Sequence, residues 1–381
     1  MKIVLFANTD WYLYNFRLPL ARTLLDAGWE VLLLSPPGKF SHRLTAGGFA
    51  WQPIDLSPKG LHPLEELRTL VQLVALYRRE KPDLVHHFTI KCVLYGSAAA
   101  LWAHVPRVVN SITGLGYVFV SRKLAARVLR FGVMLLYRAL LRRTMVIFQN
   151  PDDRRFFIDK KMVIPRDTRV ILGSGVDTTF FTPLPEPAGE PLVVLPARLL
   201  WDKGVGEFVA AAQILKQAGV AARFVLVGAS GSDNPAAITS EQVAEWAQAG
   251  WVEYWGFSDD IRSVLARSHV VCLPSYREGL PRILVEAAAC GRAMVAADVP
   301  GCREVVRDGE NGLLVPPRDP SALAAAIQSL IEDPNRRQRM AERSRQIAVE
   351  RFSIDIVNRE TIQCYQEMVE TSKMTRRGKR A

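Results

Sequence analysis

The chain alternates between short apolar runs and longer segments whose apolar residues recur at helical spacing. The apolar runs of the first half predict buried β-strands at 2–7, 30–35, 83–87, 107–111 and 145–149. Segments between them, such as 16–27 and 63–80, carry apolar side chains three and four residues apart and predict amphipathic helices. Because strands that alternate with helices form parallel sheets, the first half is predicted to be a doubly wound α/β domain.

The same alternation restarts after a proline-dense segment without periodicity, 182–191 (TPLPEPAGEP), where we place the domain boundary. Further strands are predicted at 192–196, 223–227, 252–255, 269–274, 293–297 and 312–315, and helices at 206–219, 258–267, 281–289 and 320–331. The predicted organisation is two doubly wound α/β domains, at 1–182 and 192–350, followed by a C-terminal helix at 351–372 and a basic tail at 373–381. Packing of that helix back on the first domain is one arrangement that the sequence allows, and the tail is expected to be disordered or drawn to an anionic surface.

The stretch 275–291 (SYREGLPRILVEAAACG) carries the candidate chemistry of the second domain. A glycine turn leads to Pro281, predicted at the first position of a helix, and the free N–H groups of a helix start bind anions. Glu278 precedes this start, and Glu286 lies about a turn and a half inside the helix. Carboxylates beside a phosphate site favour hydroxyl-rich groups, so the stretch predicts a nucleotide-sugar site. An ordinary strand–turn–helix with two solvated glutamates is the alternative interpretation.

Two cations follow the first strand of the second domain, Arg198 and Lys203 in ARLLWDKGV. The strand end places both at the carboxyl edge of the sheet, the same edge as the Glu278 turn. Arginine grips a phosphate with two donors, and lysine adds a compact point charge. Together they are suited to neutralise a diphosphate as it leaves.

Composition and charge indicate an anionic partner. The 381 residues carry a formal net charge of +11, and the five scattered cysteines have no metal-ligand spacing. No apolar run approaches the roughly 20 residues of a membrane span, so a soluble or peripheral, cytoplasmic protein is expected. No acidic residue lies between Asp83 and Asp152, and within this region 122–143 has helical periodicity. Its basic stripe, which predicts contact with an anionic membrane surface, consists of Lys123, Arg127, Arg130, Arg138 and Arg142. A core helix with a solvated basic face is the alternative.

The R-x4-K pair followed by E-G-x-P-x4-E resembles the retaining GT-B glycosyltransferases of the family-4 type. The resemblance spans nearly the whole chain and includes GVD at 175–177, PSYREG at 274–279 and GENGLLVPPRDP at 309–320. It implies two Rossmann-like domains facing a central cleft, the first for the acceptor and the second for the nucleotide-sugar donor. It also implies that Arg198 and Lys203 hold the donor diphosphate, Glu278 the donor sugar and Glu286 the ribose. The remaining donor-side residues implied are Gly279, Leu280, Pro281 and Arg282 around the phosphates and Gly228 and Tyr254 near the base.

The segments NTDWYLYNFRLPLA, HHFTIK and NSITGLGY are similar to bacterial enzymes that extend polyprenyl-diphosphate-linked oligosaccharides, such as N-acetylgalactosaminyltransferases of the protein-glycosylation (Pgl) pathway. Many relatives carry a histidine after the 107–111 strand, where this chain has Thr113, and an asparagine where it has Ser174. The candidate acceptor-side residues lie beyond the carboxyl ends of the predicted strands: Asn8, Asn15, Arg17, His86, His87, Lys91, Thr113 and Tyr117. Of these, His86, His87 and Lys91 are the favoured substitutes for the missing histidine.

The predicted function is transfer of a sugar of the GalNAc, Gal or GlcNAc class from a UDP-sugar, with retention, to a membrane-anchored polyprenyl-diphosphate-linked saccharide. The enzyme is expected on the inner face of the bacterial cytoplasmic membrane. No first-domain carboxylate is an obvious covalent nucleophile, which favours a same-face substitution. No Asp-x-Asp site accompanies the cations, so no essential metal or other cofactor is expected. No nucleic-acid partner is expected either, because the cations lack interleaved exposed aromatic residues. A UDP-sugar 2-epimerase of the same fold and a non-catalytic nucleotide or nucleic-acid binder remain alternatives.

Overall fold

The chain folds into two compact units. A computed structural model describes residues 1–57, 62–115, 119, 124–231, 234 and 236–378; of residues 124–126, 128 and 371–378 only the backbone is described. The first unit is Met1–Gly175 with Asp355–Ala381, and the second is Val176–Ile354. Each is built on a parallel sheet, so the prediction of two doubly wound α/β domains is confirmed.

The described part of the first unit holds a parallel sheet in the order β3-β2-β1-β4-β5-β6-β7. Its strands are β1 Lys2–Phe6, β2 Glu30–Ser35, β3 Ala50–Pro53, β4 Leu84–Phe88, β5 Val108–Ile112, β6 Met145–Phe148 and β7 Thr168–Val170. In β1, Ile3 lies opposite Val31 on one side and Leu84 on the other. The strand order therefore reverses between β1 and β4, and ligands of doubly wound sheets bind at the carboxyl ends of such a pair.

Helices cover both faces of this sheet. They are α1 Asp10–Tyr12, α2 Leu18–Asp26, α3 Ser41–Ala46, α4 Pro63–Glu80, α5 Ile90–Trp102, α6 Leu124–Leu141 and α7 Pro151–Asp159, with a π-helical turn at Leu13–Arg17 and a 3₁₀ turn at Pro165–Asp167. Because side chains alternate across a strand, Ile3 and Leu5 join one core with Leu24 of α2, whereas Val4 joins another with Leu73 of α4. Full burial of each such side chain stabilises the fold by about 1.5–3 kcal/mol.

The second unit repeats this plan, with the described strands in the order β10-β9-β8-β11-β12-β13. They are β8 Leu192–Pro196, β9 Arg223–Val227, β10 Glu253–Tyr254, β11 Val270–Leu273, β12 Ala293–Ala297 and β13 Gly312–Val315. The helices are α8 Val205–Gln217, α9 Ser240–Gln248, α10 Ile261–Ala266, α11 Arg282–Ala289, α12 Cys302–Val305, α13 Pro320–Glu332 and α14 Pro334–Arg351, with a 3₁₀ turn at Trp201–Lys203. Here the order reverses between β8 and β11, which makes the loops after these strands the expected ligand site.

The boundary between the units lies at 175/176, before the proline-dense segment in which the sequence analysis placed it. Although 182–191 has no regular structure, side chains of the second unit hold it. Buried Arg337 pairs with Glu186 at 2.8 Å, and buried Arg292 donates to the carbonyl of Leu184 at 2.9 Å. Proline density marked an irregular segment correctly, but these bonds make the segment part of the second domain.

The C-terminal helix α15, Ile354–Gly378, belongs to the first unit. Its Val357, Cys364 and Tyr365 are buried in the core that contains Ile3 and Leu5. The helix backbone continues to Gly378 and so includes the first six residues of the basic tail, while 379–381 lie outside the described residues. Attraction of the tail to an anionic surface stays a prediction.

Some further elements differ from the predictions. The first helix was predicted to begin near residue 16, but the chain is helical from Asp10, because the Thr9 hydroxyl caps the helix by accepting from the Tyr12 N–H at 3.1 Å. The edge strands β3 and β7 and helix α9 were not predicted from the sequence. The side chains of β3 are at most partly buried, so the sequence has no apolar run there that would predict a strand.

Candidate functional site

The loop after β8 is held against the end of β11. The Asp202 carbonyl accepts from the Tyr276 N–H at 2.9 Å and from the Ser275 hydroxyl at 3.1 Å. At Gly204 (φ 73°), a Cβ atom would lie 2.1 Å from the Pro274 carbonyl oxygen, so glycine is required there. These contacts fix Lys203 beside the loop that follows β11.

Lys203 and Glu278 form an ion pair across these two loops. The Lys203 Nζ lies 2.5 Å from the Glu278 Oε1, and the two side chains are 18% and 12% exposed. Charge-assisted hydrogen bonds at this distance are stronger than neutral ones. The structure thus brings together two residues 75 positions apart, as the sequence predicts. Their roles toward a donor stay predictions.

Arg198 lies two residues beyond the end of β8 at Pro196 and is exposed. Its guanidinium has no hydrogen-bond or ion-pair partner among the residues that the structure describes. The predicted approach of Arg198 to the 279–282 backbone is therefore not among the contacts seen and stays a prediction.

The helix after Glu278 starts one residue later than predicted. Pro281 is the N-cap of α11 rather than its first helical residue, and no side chain caps this start. Glu286 is buried within the helix and accepts from the Arg282 Nε at 2.6 Å. Burial raises the pKa of Glu286, and Arg282 opposes that shift. Arg282 thus engages the carboxylate through its side chain, a role that the sequence analysis did not foresee.

Several residues that the sequence analysis missed support the Glu278 loop. Gly301 (φ 83°) packs on its backbone so closely that a Cβ atom would lie 2.6 Å from the Gly279 carbonyl oxygen. The Tyr276 hydroxyl donates to Glu207 at 2.6 Å, and Arg318 lies 4.3 Å above the Tyr276 ring. Burial, with Glu207, raises the pKa of Tyr276 to about 12, so the phenol stays a donor. Gly301 follows a predicted strand, so its position at the carboxyl edge of the sheet could have marked it as part of the site. No local sequence pattern indicates that Glu207 contacts this loop.

The residues predicted near the base lie together at the ends of β9 and β10. Gly228 (φ 151°) packs against β8, where a Cβ atom would lie 1.8 Å from the Ala197 carbonyl oxygen. The partly exposed Tyr254 donates from its hydroxyl to the Gly228 carbonyl at 3.0 Å. This contact fixes the ring at the carboxyl edge of the sheet.

The first unit places its candidates at the carboxyl ends of β1, β4 and β5. Asn8 and Thr113 are partly exposed there. Asn15 donates to the Trp11 carbonyl at 2.9 Å, and Arg17 is almost completely buried. Tyr117 lies outside the described residues.

The two histidines predicted on the acceptor side belong to the core. The ring nitrogens of His86 bond to the Tyr365 hydroxyl at 2.5 Å and the Ser111 hydroxyl at 2.7 Å. Those of His87 bond to the Tyr77 hydroxyl and the Asn110 side chain. Burial lowers the pKa of both rings, to about 4 for His87, so both are neutral near pH 7. The acceptor-side interpretation is wrong for both, because no ring nitrogen remains for a ligand.

Lys91 is also engaged within the first unit. Its Nζ lies 2.6 Å from the Glu66 Oε1 and donates to the Ser57 carbonyl at 2.7 Å. Helix α4 thus supplies a counter-charge, so the structure does not support Lys91 as a substitute for the missing histidine.

Helix α6 exposes apolar as well as basic side chains. Arg127, Phe131, Leu135, Arg138 and Arg142 recur every three or four residues, and Phe131 and Leu135 are 66% and 52% exposed. Arg130, predicted on the basic stripe, is instead partly buried, and Lys123 lies outside the described residues. The exposed face is thus both basic and apolar, and its contact with an anionic membrane surface stays a prediction beside the alternative of a solvated basic face.

A surface pocket of about 540 Å³ lies beside the C-terminal end of α6. Arg138, Arg142 and Arg143 line it, together with apolar residues such as Leu101 of α5. It combines three cations with an apolar wall, which suits an amphiphilic anion.

The described residues include no group of three or more His, Cys, Asp or Glu side chains arranged to hold a metal ion. Over the same residues, no helix has both the length and the apolar character needed to pass through a membrane.

Known proteins match the chain over both units. The family model for glycosyl transferases group 1 matches residues 176–347, and that for glycosyl transferase 4-like proteins matches residues 2–150. The chain is 27% identical to the N,N'-diacetylbacillosaminyl-diphospho-undecaprenol alpha-1,3-N-acetylgalactosaminyltransferase of Campylobacter jejuni, over 97% of this chain and 99% of that protein.

Among solved structures, Anabaena HepE in complex with UDP is similar with a TM-score of 0.77 and 22% identity, covering 96% of this chain and all of that one. Sucrose-phosphate synthase of Thermosynechococcus elongatus is similar with a TM-score of 0.78 and 22% identity, covering 97% of this chain and all of that one. These likenesses concern the fold. The matched family models, the two doubly wound units and these neighbours together place the chain in the group 1, family-4-type glycosyltransferases with the GT-B fold.

Proposed function

We propose that this glycosyltransferase moves a sugar of the GalNAc, Gal or GlcNAc class from a UDP-sugar to a polyprenyl-diphosphate-linked saccharide, with retention at the anomeric carbon. The Lys203–Glu278 ion pair carries the proposal, because it holds a cation and a hydroxyl-binding carboxylate together where the strand order reverses. In the proposed donor complex, Lys203 contacts the diphosphate and Glu278 contacts the hydroxyl groups of the sugar.

On the donor side, Arg198 and Lys203 neutralise the diphosphate together with the start of α11. Arg198 has the exposure this role needs, and the helix start lacks a side-chain cap. Glu286 accepts from ribose hydroxyls, and Gly228 and Tyr254 flank the base. The UDP bound in the similar HepE structure supports a uridine nucleotide.

Retention follows from substitution on one face of the sugar. The bond from the anomeric carbon to the diphosphate oxygen breaks as the acceptor oxygen bonds on the same face, and the acceptor proton passes to the leaving diphosphate. A two-step route needs a free carboxylate nucleophile. Asp10, the acidic residue after β1, is buried and accepts from the N–H groups of Trp11 and Phe40 and from the Ser41 hydroxyl. Its engagement favours the single-step route.

The acceptor is proposed from the Campylobacter relative, whose name states a diphospho-undecaprenol-linked substrate. A lipid-linked acceptor requires the enzyme to work at a membrane surface. The exposed Phe131 and Leu135 of α6 are suited to enter the headgroup region, with Arg127, Arg138 and Arg142 attracted to anionic lipids. We therefore propose peripheral binding through α6, at the inner face of the bacterial cytoplasmic membrane.

A donor screen tests the proposal. UDP-GalNAc, UDP-Gal, UDP-GlcNAc and GDP-mannose are each incubated with a polyprenyl-diphosphate-linked sugar, and the anomeric configuration of the product is read by NMR. A UDP-sugar is expected to react with retention. Inversion, or transfer only from GDP-mannose, would contradict the proposal.

Two control reactions separate the alternatives. Conversion of UDP-GlcNAc without an acceptor would indicate an epimerase instead. Salt-sensitive binding to DNA that exceeds binding to anionic vesicles, without transfer, would indicate a nucleic-acid binder.

A further inference from the structure

Arg17 is a buried cation without a counter-charge. It ends the π-helical turn at Leu13–Arg17 and is 4% exposed. One nitrogen, Nη2, donates to the Tyr12 hydroxyl at 2.9 Å, whereas the buried Nε has no hydrogen-bond partner. Among the residues that the structure describes, no carboxylate pairs with it. Burying a charge is costly unless it is paired and hydrogen-bonded, so the position of Arg17 favours a ligand that supplies the missing partner.

Aromatic rings provide the surroundings of this guanidinium. Its Cζ lies 4.2 Å from the centroid of the Phe88 ring and 5.5 Å from that of Tyr12. Cation–π contacts hold a guanidinium in place without neutralising it. Asp10, the acid nearest in sequence, is occupied with the Phe40 and Ser41 groups. The arrangement therefore orients a full positive charge that no carboxylate among the described residues neutralises.

The charge lies where the first sheet is expected to bind a ligand. Phe88 ends β4, and the strand order reverses between β1 and β4. Helix α5, 13 residues long, begins at Ile90, so its positive end belongs to the same edge. Thr89 between them has φ 73° and ψ 157°, a strained conformation that is found mainly for glycine and that clusters at functional sites. The Arg17 charge and the positive end of α5 therefore both favour an anion at this edge of the sheet.

We propose that Arg17 binds the diphosphate of the acceptor, the group that joins the saccharide to its lipid. This inference rests on the proposed function. The donor diphosphate has the same chemistry, but the predicted donor cations Arg198 and Lys203 belong to the second unit, whereas Arg17 belongs to the first. A guanidinium can grip such an anion with paired hydrogen bonds, and the Arg17 Nε is a donor that still lacks a partner among the described residues.

The test compares two acceptors and four proteins. One acceptor is a short-chain prenyl-diphosphate saccharide, and the other is the same saccharide as an uncharged alkyl glycoside. The proteins are the wild type, Arg17→Met, Arg17→Lys and the control Arg22→Met. Arg22 matches Arg17 in also donating from Nη2 and in lying over a phenylalanine ring, Phe49 at 4.5 Å, but it is exposed.

Wild type is expected to use the diphosphate acceptor with a lower KM than the glycoside. Arg17→Met should raise the KM for the diphosphate acceptor by roughly 10- to 100-fold, the scale of a lost hydrogen bond to a charged group. The KM values for the glycoside and the UDP-sugar should not change. Arg17→Lys should keep the preference with a several-fold higher KM, and Arg22→Met should behave as wild type. Because Arg17→Met removes an uncompensated buried charge, its Tm should be unchanged or higher.

Other outcomes overturn the inference. Equal losses for both acceptors, or a lower Tm with no change in acceptor preference, would give Arg17 a purely structural role. A rise only in the KM for the UDP-sugar would show that Arg17 binds the donor diphosphate instead of the acceptor diphosphate. If Arg17→Met does not fold, full retention of the preference in folded Arg17→Lys, without any rise in KM, decides against binding by the guanidinium fork. Failure of the wild type to transfer to either acceptor refutes the proposed function itself, which is a separate result.

Discussion

Replacing Lys203 by methionine tests the role of the ion pair in leaving-group stabilisation. The side chain is 18% exposed, so its charge acts in a largely water-excluded place. Loss of one such donor typically raises the barrier by about 2.7–4 kcal/mol, which corresponds to a fall in kcat of roughly 10²–10³. We expect that loss for Lys203→Met, and no change for Lys216→Met, whose exposed lysine donates to the Gly250 carbonyl in the same unit.

The same substitution leaves Glu278, 12% exposed, without its partner. Stranding a nearly buried carboxylate costs about 1–3 kcal/mol, which lowers the Tm of a domain of this size by roughly 2–10 °C. A second change, Glu278→Gln, removes the stranded charge. The double variant is therefore expected to regain most of the Tm but none of the activity.

Two measurements decide the case, single-turnover transfer from the radiolabelled UDP-sugar and a thermal melt of each variant. Near-wild-type kcat in Lys203→Met would refute the assignment of Lys203 to the leaving diphosphate. Recovery of transfer in the double variant would refute it as well, because activity would then follow stability alone.

Other predictions concern the donor site, the fold, the membrane and metal ions. The pKa of Glu286 is raised in the fold, so the folded state binds the extra proton and wild-type stability falls as pH rises from about 4.5; Glu286→Gln should flatten that part of the Tm–pH curve and weaken UDP binding in calorimetry. Gly228→Ala forces a Cβ atom against a carbonyl oxygen and should lower the Tm by far more than Gly250→Ala, which meets nothing within 4 Å but has φ 73°; equal melts would contradict this. Phe131→Ser with Leu135→Ser should reduce co-sedimentation with anionic vesicles without lowering the Tm, since both side chains are exposed; unchanged binding would exclude α6 as the contact. Transfer should persist in EDTA, because Arg198 and Lys203 supply the positive charge that a metal would otherwise provide; loss of transfer, restored by Mg²⁺ or Mn²⁺, would contradict it.

Strands buried on both faces could be predicted from the sequence almost to the residue. Leu192–Pro196 and Ala293–Ala297 match their predicted bounds, because each is a continuous apolar run between turn residues. The edge strand Ala50–Pro53 has no such run, since its side chains are at most partly buried. Pattern recognition succeeds where burial dictates composition and fails at the sheet edge.

The candidate site could be predicted as far as topology dictates it. Parallel strands end at one edge, so Lys203 and Glu278 were expected near each other although 75 residues separate them. His86 and His87 were assigned to the ligand for the same reason, and wrongly. Because side chains alternate along a strand, the two histidines lie on opposite faces of the sheet. There they form hydrogen bonds with Tyr365 and Tyr77 of the covering helices. Such partners are distant in sequence and leave no local pattern.

The return of helix α15 to the first unit has a consequence for synthesis on the ribosome. The second unit is one continuous segment, Val176–Ile354, and is complete before α15 emerges. Until then, the Ile3 and Leu5 face of the first sheet lacks Val357 and Tyr365. A nascent chain at that stage carries one finished domain and one with an open apolar side, which is the kind of surface that chaperones bind.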